Sequence, residues 1–172
     1  IRTGRQLIEV SDMKLWNVSG AIICSFFVAI MGADFSAWDY HQDIWLNTKS
    51  GSGISLSSSV TQFPVFLELT GAGFDFSQAG DNGEDIRFSA SDGTTELNYE
   101  IENWDKAGQS AAIWVLLDQI PVNDSIRIIM HWGNSGASSQ SNGAAVFSAA
   151  NGFVAVWHLN EEQSGTGTVG VY

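Results

Sequence analysis

The chain has 172 residues, 44% of them apolar, with 18 glycines and two prolines. That length and apolar share allow one full domain with its own core and exclude a wholly disordered chain. The formal charge is −12, and the part from Trp38 onward carries all of it, with four basic residues (Lys49, Arg87, Lys106 and Arg127) against sixteen acidic ones. Such a surface repels nucleic acid and anionic lipid, and it is compatible with calcium, with neutral glycans or with plain solubility.

Residues 1–12 contain no methionine and read as an upstream extension outside the native protein. Met13-Lys14 then opens a segment that is apolar from Ala21 to Met31, broken only by Ser25, and that ends in Gly32-Ala33-Asp34. A basic start, a short apolar middle and a small-residue end are the pattern of a signal peptide, here over 13–37, with cleavage expected after Ala33 or Ala37. The apolar run is shorter than the roughly 20 residues a bilayer span needs, so any membrane contact would be through an uncleaved signal segment. Ile23 before Cys24 argues against lipoprotein processing. The expected localisation is export, to the periplasm, the cell surface or the medium. Cys24 is the only cysteine, so the exported part has no disulfide and its core must hold the fold alone.

Beyond Trp38 the apolar pattern follows period two. Trp38–Thr48 reads as the first strand, Lys49–Ser59 as a Ser/Gly loop, and Phe63–Leu69 as a strand with Pro64 near its start, where a missing N–H does least harm. Asp81-Asn82-Gly83 is a turn. Ile86–Ser89 is a short strand, and Asp92-Gly93 closes a hairpin onto a return strand, Glu96–Trp104. In that strand Leu97, Tyr99 and Ile101 share one face while Glu96, Asn98, Glu100 and Glu102 share the other. Ala111–Leu117 and Ser125–Trp132 follow, the latter alternating Ile126, Ile128 and Met130 with Arg127, Ile129 and His131. A short helix or turn is expected over Ala144–Ala150 and a final strand over Phe153–Leu159. Short strands between turn clusters point to an all-β, antiparallel sandwich or jelly-roll-like domain over 38–150.

Several of these segments, in this order, resemble one bacterial family. Trp38-Asp39-Tyr40, Gly83-Glu84-Asp85-Ile86-Arg87-Phe88, Asp92-Gly93-Thr94, Tyr99-Glu100-Ile101-Glu102, Ala112-Ile113-Trp114-Val115, Met130-His131-Trp132-Gly133-Asn134 and Ala145-Val146-Phe147 are similar to the "domain of unknown function 2341" family. The stretch from Gly152 to Glu161 resembles the start of a concanavalin A-like (laminin-G-like) lectin domain. Residues 151–172 would then be the truncated first strand of a second domain in the same chain. The resemblance implies a module of a large surface protein and assigns no activity.

The chemistry-bearing candidates are few. Glu100 and Glu102 project from one strand face about 7 Å apart at strand rise. The pair suits acid–base work on a glycosidic bond, or simply a solvated polar face. Trp104 is expected on that same face as a sugar-stacking platform. Asp85 and Arg87, two apart, read as an ion pair, with a cross-strand glutamate as the alternative partner for Arg87 and a clamp on a ligand carboxylate as the sharper reading. Asp81, Glu84 and Asp85 offer hard oxygen ligands for calcium, without the spacing of an EF-hand loop; otherwise they are turn residues. No other cofactor is expected. His41, His131 and His158 lack metal-ligand spacing and read as packing residues. The expected function is a non-catalytic module supporting glycan binding or adhesion. The alternatives are a purely structural spacer and a glycoside-active domain using Glu100 and Glu102.

Overall fold

The computed structural model describes residues 32–156. Six strands form the fold: β1 (Tyr40–Asn47), β2 (Val60–Thr70), β3 (Arg87–Ala90), β4 (Tyr99–Asp105), β5 (Ser110–Ile120) and β6 (Ser125–Trp132). They make two antiparallel three-stranded sheets, ordered β1-β6-β3 and β2-β5-β4. The domain is an all-β sandwich. The signal segment read at 13–37 lies outside the described residues except for its last six positions.

The sheets bury the side chains that period two assigns inward. Ile128 and Met130 of β6, Phe88 of β3, Tyr99 of β4 and Ile113, Val115 and Leu117 of β5 pack with Phe74, Phe76 and Ile86 into one core. Ring contacts extend it: Phe74 meets Phe76 edge-on at 4.9 Å and Trp132 at 5.1 Å. Pro64 lies in β2, an edge strand, so its missing N–H can be placed without loss to the ladder.

The return limb after Asp92-Gly93 differs from a plain hairpin. Asp92 accepts from Thr94 N, Thr95 N and the Thr95 hydroxyl. Those bonds, the hydroxyl's foremost, lower its carboxyl to about 2. The limb pairs with β3 only at Ser89 and Glu96, with Leu97 N donating to Phe88 O. It then leaves that sheet: Asn98 O accepts from Leu116 N, and β4 continues beside β5. Residues 95–98 therefore form a corner where the chain changes sheets, as sandwich geometry allows.

The C-terminal expectations hold in part. A one-turn helix, α1 (Gly143–Val146), is capped by the Asn142 side chain accepting from Ala145 N, and a short 3-10 turn follows at Ala149–Asn151. Residues 153–156 form no strand, because Phe153 turns onto Phe147 instead of continuing an extended run. Residues 157–159 of the expected strand are outside the described part.

Two charged residues are buried at the join of these pieces. Asp85 is 2% exposed; its Oδ1 accepts from Gly80 N at 2.8 Å and its Oδ2 from Gly133 N at 2.7 Å. Its own carbonyl accepts from the Trp38 indole at 2.6 Å. Asp85→Ala strips two backbone donors of their acceptor and should lower unfolding free energy by about 2–4 kcal/mol in urea melts. Asp85→Asn, which keeps one acceptor oxygen, should lose less.

Candidate functional site

The carboxylates Glu100 and Glu102 do share the outer face of β4, but a β-bulge separates them from Trp104. Ile101 pairs with Ile113 and Asn103 with Ala112, so Glu102 is the extra residue. One extra residue flips the faces that follow it. Trp104 therefore turns to the inner side, 6.0 Å from Phe74 and 5.1 Å from Phe76. It packs against the core and does not share the glutamates' face, where it was expected.

The aromatic residue that does meet the glutamates is Trp114, which pairs with Glu100 across the β4–β5 ladder. The Trp114 indole N–H donates to Glu102 Oε2 at 2.7 Å. On one side Phe66 of β2 lies tilted against it at 4.9 Å, with 46% of its surface exposed. On the other, Phe147 meets it edge-on at 5.5 Å and Phe153 packs behind Phe147 at 5.1 Å. Glu100 sits over Gly143 at the start of α1, so closely that a Cβ there would collide with its carboxylate. The result is an aromatic ridge held in place by a carboxylate hydrogen bond, with two acidic side chains along it. Nothing in the run Ala112-Ile113-Trp114-Val115 distinguishes Trp114 from a core residue except its parity: it alternates with Ile113 and Val115, which are both fully buried.

The other candidates are drawn into structural duties. Asp85 does not pair with Arg87, because both its oxygens are taken by Gly80 and Gly133. Arg87, 5% exposed, donates to the carbonyls of Glu84, Ile86 and Ser138 and to the Tyr99 hydroxyl. Its charged partner is the cross-strand Glu96 at 3.7 Å, and Trp38 lies against its guanidinium at 5.5 Å. Burial raises the pKa of the Tyr99 hydroxyl, and the nearby Arg87 charge opposes that shift. Asp81 pairs with Lys106 at 2.9 Å, which lowers its pKa, and Glu84 accepts from Asn82 N. Asp81, Glu84 and Asp85 thus each have partners of their own. Among the described residues no three His, Cys, Asp or Glu side chains gather to hold a metal ion.

His131 is 8% exposed, and its Nε2 lies 2.9 Å from the hydroxyl of the fully buried Ser89. Burial, and secondarily His41, push its pKa down to about 4. A cavity of about 480 Å³ lies among Ser50, Ile54, Leu56 and Val122 of the loops. It contains no ionisable side chain.

Residues 82–160 match the family model described as Domain of unknown function (DUF2341). No curated protein and no solved structure matches the chain. The matched stretch holds β3 to β6, α1 and the whole glutamate–tryptophan ridge except Phe66.

The ridge depends on the Glu102–Trp114 bond. Glu102→Ala should cost about 1–2 kcal/mol and shift the Trp114 indole N–H resonance, whereas Glu102→Gln, which retains an acceptor, should cost less than about 0.5 kcal/mol.

Proposed function

We propose that the chain is a non-catalytic β-sandwich module of an exported, multidomain bacterial protein, and that it binds neutral glycan on the outer face of the β2-β5-β4 sheet. The observation that carries this reading is Phe66, exposed beside a Trp114 whose indole is locked by Glu102. An immobilised aromatic surface offers a sugar ring its apolar face at little entropic cost, and adjacent carboxylates accept from sugar hydroxyls. The strong negative charge disfavours anionic polymers as ligands. Glu102 is engaged in positioning Trp114, which favours a binding role over that of a catalytic acid or base. A lectin-like domain beginning at 151–172 would be the neighbour in the same chain.

Glycan-array binding by the full chain, weakened about tenfold or more in Phe66→Ala at unchanged melting temperature, is the expected outcome. Failure to bind any glycan would favour the spacer alternative. Release of sugar that disappears in Glu100→Gln would favour an enzyme.

Export itself makes a second expectation. Phe35 stacks on His131 and meets Trp38, so cleavage after Ala33 keeps those ring contacts, losing only the Ala33–Thr94 bond, and cleavage after Ala37 removes them. Mass spectrometry of the secreted product should find Asp34 at its amino terminus; a product starting at Trp38 contradicts this.

A further inference from the structure

We propose that residues 33–38 form a strap over the outer face of the β1-β6-β3 sheet that mild acid releases, with His131 as the trigger. Ala33 N donates to Thr94 O at 2.8 Å. Phe35 stacks on the His131 ring at 4.1 Å with the planes 5° apart. Trp38 meets Phe35 edge-on at 5.4 Å, rests against Arg87 and donates to Asp85 O. These contacts bury an outer face that a three-stranded edge sheet would otherwise expose: Arg87, Ser89, Ile129 and His131 are each at most 9% exposed.

Beneath the strap the register sets three basic side chains in a row across the strands. His41 of β1 pairs directly with His131, and His131 pairs directly with Arg87 of β3. Like charges directly opposite one another are destabilising. A proton on His131 would therefore place a cation between a permanent cation and a second histidine, in a site with little water. The surrounding carboxylates are placed elsewhere. Glu96 lies by Arg87, Asp43 is paired with Arg127, and Asp85 is held by Gly80 and Gly133. Asp39 faces the Gly133 bend, and Asp34 of the strap itself accepts from Ser36 N, a bond that lowers its pKa. An imidazolium would gain a cation–π contact with Phe35, which opposes release. Burial first, and the His41 charge second, depress the His131 pKa to about 4, which favours release of the strap once the ring is protonated.

The direction follows from linkage. The folded pKa lies below the ordinary value of 6.5, so the strapped state is favoured fully above pH 6.5 and loses that advantage as pH falls toward 4. If release returns His131 to its ordinary basicity, the opening equilibrium rises about twentyfold between pH 7 and pH 5.

Hydrogen exchange of the full chain, corrected for intrinsic rates, tests this. Protection of residues 33–38 should fall about twentyfold from pH 7 to pH 5 relative to β5. His131→Gln, which keeps a polar partner for Ser89 without titrating, should abolish that change. Equal protection at both pH values would overturn the proposal, as would the same loss in His131→Gln. If the variant does not fold, NMR of the wild-type chain decides: His131 and strap resonances must titrate with one midpoint, and separate midpoints refute the trigger.

Discussion

The buried carboxylate of Asp85 ties together three parts of the chain that are far apart in sequence. Its two oxygens fasten the Gly80 turn and the Gly133 bend, and its carbonyl fastens Trp38. A buried ion needs compensation, and here backbone N–H donors supply it rather than a countercharge. Arg87, two residues on, is compensated in the mirror sense by carbonyl oxygens, with Glu96 at longer range. Truncating either group would leave several backbone groups without partners, so the entry to β1, the start of β3 and the end of β6 stand or fall together.

The second constraint is the bulge at Glu102. It splits β4 into a part whose odd residues face inward and a part in which Trp104 does. The core receives a large ring at the end where Phe74 and Phe76 gather. The outer face keeps both glutamates beside Trp114. A straight strand would have placed Trp104 with the glutamates and left a gap beside the two phenylalanines.

The two outer faces are finished differently. Residues 33–38 cover the β1-β6-β3 sheet with aromatic rings over His131 and Arg87. The β2-β5-β4 sheet is covered only in part, by α1 and the Phe147–Phe153 pair, and Phe66 stays open to solvent. Three strands per sheet leave much apolar surface to cover, and chain outside the strands covers most of it.

Period-two alternation in β6, the Pro64 edge position, the Asp92-Gly93 turn and the all-β class were legible in the residues, because each depends on neighbours within a few positions. The shared face of Glu100 and Glu102 was legible for the same reason. The partner of Asp85, the inward turn of Trp104, the sheet change at residues 95–98 and the role of Trp114 were not. Each is decided by contacts beyond the local window: Gly133 lies 48 positions from Asp85 and Trp114 lies 12 from Glu102. The sequence by itself determined which residues alternate. Only the tertiary structure decided which alternating face is wet, because that depends on what another part of the chain lays over it.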